Sequence, residues 1–249
     1  MRPESTGTGP CHGNRTMPRE QEPCSARVKG EAMSGYKAVL FDLDGTINDS
    51  GPGIMNSVRY AIERMGRKPL PPETLRRFIG PALLYSFKKY AGMTEEESWQ
   101  AIGYYKECYD GGEAYNLNIY EGIPELLERL GQNGVLCAVV TTKPEAVAEK
   151  ILERFDMKKH FACVIGPESD GASNQKSILI RRALRKLGLE EQDAVMIGDT
   201  RFDAAGASEA GCDFIGVTYG YGTPEELRED RTVFLADSAA QIAPWVLKI

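Results

Sequence analysis

Two carboxylates two residues apart, Asp42 and Asp44, follow the apolar run Ala38-Val39-Leu40-Phe41. A second pair, Asp199 and Asp203, follows the run from Ala194 to Ile197. Between these pairs, Thr141, Thr142 and Lys143 end the run from Val135 to Val140, and Lys176 lies beyond a run around Cys163 to Ile165. Four carboxylates gathered in one crevice repel one another unless a cation sits among them. The donors are all hard oxygens, with no His or Cys at any run end, which selects Mg²⁺ over zinc or copper. A single Asp after a strand is often only a turn or helix cap. Four polar strand ends in register are the stronger signal.

Phosphoryl transfer suits such a set. A carboxylate is ionised at neutral pH without an activating base, so Asp42 suits a nucleophile whose acyl phosphate water can hydrolyse. Asp44 can approach the transferred group from the other side, protonate the leaving oxygen and then take a proton from the attacking water. Thr141 offers a hydroxyl and Lys176 a fixed cation to the phosphoryl oxygens, where charge must be held in the transition state.

These residues need a scaffold that brings strand ends together. Ile54, Val58, Ile62 and Met65 mark a helical stripe that stops at Gly66, and Pro72 to about Asn118 stays helical, strand-free and rich in aromatics. From Gly122 the texture alternates. Helices open near Pro124 and Pro144, a third carries Ile178, Leu179, Ala183 and Leu184, and a fourth runs through Ala204, Ala207 and Ala210. Strands at Val135–Val140, Cys163–Ile165, Ala194–Ile197 and Phe214–Val217 intervene, with a short segment near Val233–Leu235 and a terminal helix at the end. Strands apolar throughout and alternating with helices predict a parallel sheet covered on both faces. The expected fold is therefore α/β, a Rossmann-like doubly wound parallel sheet with an all-helical cap domain inserted after the first strand. The expected division is a disordered extension over 1–34, an α/β core over 35–51 and 119–249, and the cap over 52–118.

Composition excludes several classes. The 249 residues carry a net charge of −6 and no basic stripe, which argues against nucleic acid or an anionic membrane surface as partner. No apolar run approaches the roughly 20 residues of a membrane-spanning helix. Six cysteines form no CxxC pair, and Cys137 and Cys163 sit in apolar runs, so reduced core thiols and a cytoplasmic location are expected. Two histidines supply a Ser-His-Asp or His-rich metal mechanism poorly. Residues 1–33 lack Leu, Ile, Phe, Tyr and Trp, so they cannot offset their ordering entropy by burial. They are expected to be a non-functional extension, with Met33 or Met17 as the start.

At the residues singled out above, the chain resembles the haloacid dehalogenase-like hydrolase superfamily. Asp42-Leu43-Asp44-Gly45-Thr46-Ile47-Asn48-Asp49-Ser50 looks like its first motif, Val139-Val140-Thr141 its second, Lys176 its third, and Gly198 to Asp203 its fourth. Within that superfamily it is similar to phosphoglycolate phosphatase-like enzymes with a helical cap. Phe78-Ile79-Gly80-Pro81 and Tyr219-Gly220-Tyr221-Gly222 resemble segments of that group.

The resemblance implies a Mg²⁺-dependent phosphatase acting on a small phosphorylated metabolite through an aspartyl-phosphate, as a monomer or homodimer. Asp42 would be the nucleophile and a metal ligand, and Asp44 the acid/base and a ligand through its carbonyl. Asp199 would complete the metal site. Thr141, Thr142 and Lys176 would bind phosphate, Asp203 would support Lys176 or a metal-bound water, and Gly80 and Pro81 would form a substrate loop. Lys143 is the rival to Lys176, which here precedes Ser177 where many relatives have Pro. Asn48 and Ala82 also depart from the pattern, near the cap hinge and cap loop. A nucleoside 5′-phosphate phosphatase and a β-phosphoglucomutase-like phosphomutase are the alternatives. Trp99, Tyr104, Tyr105 and Tyr109 are expected to form the cap's own core.

Overall fold

The computed structural model describes residues 35–167 and 175–248, so the expectation for 1–34 lies outside the described residues. Its centre is β1 (Ala38–Phe41), four residues buried on both faces. This strand pairs in parallel with β4 (Leu136–Val140) on one side and β6 (Ala194–Gly198) on the other. With β5 (Cys163–Ile165), β7 (Asp213–Val217) and β8 (Thr232–Ala236), the six-stranded sheet runs β5-β4-β1-β6-β7-β8, all parallel.

Successive residues of a strand point to opposite faces and both faces of the sheet are covered, so β1, β4 and β6 read as continuously apolar. Val39 and Phe41 point into one core with α5 (Ile123–Gln132), α6 (Glu145–Arg154) and α9 (Ile242–Leu247). Ala38 and Leu40 point into the other with α7 (Lys176–Leu187) and α8 (Arg201–Ala210). In α8 the apolar face is Ala204, Ala207 and Ala210, small enough to let the helix lie close to the sheet and to α7. The next connection from β1 leads to β4 on one side, and the later one to β6 on the other. This reversal opens a crevice at the carboxyl ends of β1, β4 and β6.

Between β2 (Asn48–Asp49) and β3 (Asn118–Ile119) the chain makes four helices: α1 (Gly51–Arg64), α2 (Pro72–Arg76), α3 (Leu83–Tyr90) and α4 (Glu95–Asp110). Ile54, Val58, Ile62, Phe78, Phe87 and Ile102 belong to a third apolar cluster of their own. α4 begins at a capping box in which Thr94 and Glu97 satisfy each other's backbone amides. Its buried stripe is Ser98, Ala101, Ile102, Tyr105 and Tyr109.

Two expectations are corrected here. Trp99 lies off the α4 stripe and is 40% exposed, so it is not part of the cap core. The two crossings also carry unanticipated strands: Asn48 pairs with Ile119 and Asp49 with Asn118 in an antiparallel ladder. Two-residue strands are too short to show any periodicity in sequence.

Candidate active site

Each strand end delivers a different group into the crevice. Asp42 follows β1 directly, its amide held by the carbonyl of Ile197 at 2.8 Å, so the two carboxylate-bearing strand ends are in register. Lys176 opens α7 with its side chain running inward to the sheet. The ammonium donates to Asp42 Oδ1 at 2.7 Å and to the Val140 carbonyl at 2.9 Å, and pairs with Asp203 Oδ1 at 2.7 Å. This inward path requires Gly206 on α8, where a Cβ would stand 2.5 Å from Lys176 Cβ. Asp203 serves twice. Its other oxygen accepts from the Thr200 amide at 3.0 Å and hydroxyl at 2.7 Å, capping α8.

Asp199 is fully buried between two glycines. One carboxylate oxygen accepts from the Thr46 hydroxyl at 3.1 Å, the other from the Tyr221 amide at 2.9 Å. A Cβ on Gly45 would lie 2.1 Å from Asp199 Oδ2, and one on Gly220 would lie 2.3 Å from Asp199 Cβ. Gly45 also adopts φ of +90°, which other residues rarely take. Tyr219 donates to the Thr46 carbonyl at 3.0 Å, and the Tyr221 hydroxyl donates to Asp49 and accepts from the Gly51 amide. In the tyrosine-glycine loop after β7, Tyr221 thus holds Asp199 with its amide and the first crossing with its hydroxyl.

Asp42, Asp199 and Asp203 place carboxylate oxygens within 4.8 Å of one another, all buried. Burial pushes Asp42 up to about 7, against the lowering effect of Lys176 and with Asp203 and Asp44 adding repulsion. Burial, then Asp203 and Asp42, raises Asp199 well above the carboxylate range. Burial alone would depress Lys176, yet the carboxylates of Asp203 and Asp42 outweigh it and hold the lysine above its usual range. One ammonium among three buried carboxylates leaves negative charge uncompensated. Oxygen donors with that excess fit a hard divalent cation.

Asp44 faces the other way. Its carboxylate oxygens lie 2.9 and 2.8 Å from the Lys143 ammonium, which also donates to the Tyr109 hydroxyl of α4 at 2.7 Å. Asp44 lines a cavity of about 250 Å³ between helical cap and sheet, with Phe78, Pro81, Tyr109, Lys143 and Val147 among its walls. Gly80 lines it too, and its carbonyl accepts from the Thr142 hydroxyl at 2.7 Å. Thr141 is buried, and its hydroxyl accepts from the Lys143 amide at 3.2 Å.

The structure therefore gathers Asp42, Lys176, Asp199 and Asp203 in one cluster and sets Asp44 and Lys143 beside it, facing the cap. The Thr142 hydroxyl is turned to the cap. Thr46, Tyr109 and Tyr221 were missed by sequence reasoning as site residues. Thr46 sits inside the first acidic motif and Tyr221 inside the tyrosine-glycine segment, so both were within reach. Tyr109 gave no such signal.

The chain belongs to the haloacid dehalogenase-like hydrolase family, whose model matches residues 39–217. It is 40% identical over 211 residues to a 5′-nucleotidase of Pseudomonas aeruginosa, covering 84% of this chain and 96% of the relative. It is 32% identical over 201 residues to the tyrosine-protein kinase PtkA of Mycobacterium tuberculosis, covering 81% of this chain and 68% of that protein. Phosphoglycolate phosphatase 1 of Pseudomonas aeruginosa is 28% identical over 215 residues, with coverage of 84% and 79%. The crystal structure of a predicted phosphatase from Clostridium acetobutylicum superposes with a TM-score of 0.82 at 35% identity, over 87% of this chain and all of that one. The protein is a phosphoric monoester hydrolase of this family, similar to phosphoglycolate phosphatases and to a 5′-nucleotidase. No helix among the described residues is long and apolar enough to cross a membrane.

Proposed function

We propose that the protein is a Mg²⁺-dependent phosphatase that forms an aspartyl-phosphate on Asp42 and takes a nucleoside 5′-phosphate in preference to phosphoglycolate. The observation that carries the chemistry is the division of the two motif carboxylates: Asp42 sits in the acidic cluster with Lys176, and Asp44 at the cavity. Asp42 attacks phosphorus, and the bond to the leaving oxygen breaks as Asp44 supplies its proton. Water then attacks the acyl phosphate, giving its proton to Asp44 and freeing Asp42. The Lys176 ammonium and the Thr141 hydroxyl bind phosphoryl oxygens, while Thr142 contributes from its backbone because its hydroxyl serves Gly80. Asp203 holds Lys176 in place.

Asp42, Asp199 and the Asp44 carbonyl would hold the metal ion. When bound, Mg²⁺ neutralises the acidic cluster and polarises the phosphoryl group.

The cavity supports the substrate reading. Its walls include Phe78, Pro81, Tyr109 and Val147, which suit a planar, partly apolar leaving group such as a nucleoside. The 40% identical relative named 5′-nucleotidase points the same way. A site inside a cap-covered crevice fits small metabolites as substrates.

Phosphate release from nucleoside 5′-monophosphates and 2-phosphoglycolate, with and without Mg²⁺, tests this. The best nucleotide is expected to exceed phosphoglycolate in kcat/KM by roughly 10-fold or more, the range that pocket contacts supply. The reverse order rejects the substrate class. No Mg²⁺-dependent release from any substrate rejects the chemistry.

A further inference from the structure

The loop Thr141-Thr142-Lys143 touches the cap at two points, and neither contact has a role in the chemistry above. The Thr142 hydroxyl donates to the Gly80 carbonyl at 2.7 Å. The Lys143 ammonium donates to the Tyr109 hydroxyl at 2.7 Å and lies 5.1 Å from the centre of the same ring. The side chain of Lys143 is only 8% exposed. A buried ammonium needs its donors used, and here they go to two groups on different domains: both oxygens of Asp44, and Tyr109 at the last turn of α4. Tyr109 is itself fixed by stacking on Tyr105, ring centres 5.2 Å apart and 18° from parallel.

We infer that Lys143 is a positioning residue for the proton-transfer carboxylate Asp44, and that Tyr109 completes it from the cap. The inference rests on the phosphatase reading given above. The two-oxygen grip fixes the Asp44 rotamer toward the cavity, where the leaving oxygen would lie, and away from Asp42. The third direction of the ammonium is fixed by Tyr109. When the cap lifts, Lys143 loses that acceptor and the grip on Asp44 loosens. The carboxylate is thus aligned for proton transfer when the cap is seated and the substrate is shielded from bulk water.

The test uses p-nitrophenyl phosphate, whose leaving group needs little protonation, so that the hydrolytic half-reaction reports on Asp44. Acid-quenched enzyme at steady state is analysed for phosphate on Asp42. Tyr109→Phe keeps the ring and its stack but deletes the acceptor, whereas Lys143→Met deletes the grip and Lys143→Arg keeps the charge. The phosphorylated fraction is expected to rise from wild type through Tyr109→Phe to Lys143→Met, as hydrolysis slows by roughly 10-fold or more out of the about 10²- to 10⁴-fold that proton transfer supplies. KM should fall together with kcat, as a slowed second step requires, and the phosphorylated fraction of Lys143→Arg should fall between wild type and Lys143→Met. A fraction unchanged in Tyr109→Phe and Lys143→Met, whatever their melting temperatures, overturns the inference and leaves a structural role. Absence of phosphate on Asp42 in wild type and in every variant, Asp44→Asn included, instead overturns the phosphatase reading, and this inference with it.

Discussion

Replacing Lys176 by Met removes the one ammonium that touches both Asp42 and Asp203. The chain length is nearly conserved, so the hydrophobic contacts of the stem are largely kept and the change isolates the charge. The wild-type lysine is 6% exposed and has three acceptors, the two carboxylates and the Val140 carbonyl. Breaking a buried pair from one side costs about 3 to 5 kcal/mol, because the remaining charges are left without compensation. This cost should depend on pH in a defined direction. Asp42 is raised to about 7, chiefly by burial, in the folded protein. Below that pH it holds a proton, Lys176 has less negative charge to neutralise, and its removal matters less. Urea denaturation of both proteins in metal-free buffer measures the difference. The expected loss is about 3 to 5 kcal/mol near pH 8 and clearly smaller near pH 5.5. A loss below about 1 kcal/mol near pH 8, the size of an exposed ion pair, would refute the reasoning, as would an equal loss at both pH values.

Two further outcomes concern the acidic cluster. Gly220→Ala forces a Cβ to within 2.3 Å of Asp199 Cβ and 2.5 Å of the Gly45 carbonyl, so it should cost about 1 to 3 kcal/mol and weaken Mg²⁺ binding in calorimetry. Gly131→Ala in α5 meets nothing within 4 Å and should instead gain about 0.5 to 1 kcal/mol with Mg²⁺ binding unchanged. The raised Asp42 and Asp199 keep protons in the folded state that unfolded carboxylates release near about pH 4, so metal-free stability should fall as pH rises toward about 7. Mg²⁺ competes with those protons. The rise in melting temperature on adding Mg²⁺ should therefore be larger near pH 8 than near pH 5.5, and the opposite order would contradict the assignment of these carboxylates to the metal.

The core was legible because its signals are local. β1, β4 and β6 are short apolar runs closed by polar residues, and a covered parallel sheet dictates that their carboxyl ends meet. Asp42 and Asp199 follow from that alone, whereas Lys176 opens α7 well beyond the end of β5 and had Lys143 as a rival. Asp203 shows that the plain reading and the functional one coexist, since the same side chain caps α8 and pairs with Lys176. What escaped depends on how helices rotate against the sheet. Tyr109 and Lys143 are 34 positions apart, and their bond exists only because α4 turns its Tyr105–Tyr109 face to the loop after β4. The same rotation puts Trp99 on the exposed side. The β2–β3 ladder escaped because two residues carry no pattern, although the glycines and polar residues around it mark both crossings.

The central claim is that Asp42 receives the phosphoryl group and Asp44 handles the proton. Mass spectrometry of protein quenched in acid during turnover of p-nitrophenyl phosphate with Mg²⁺ tests it directly. Asp42→Asn should carry no phosphate, whereas Asp44→Asn should accumulate it on the peptide containing Asp42, because its acyl phosphate forms but lacks a base for hydrolysis. Phosphate on any other residue, or turnover retained by Asp42→Asn, would contradict the account.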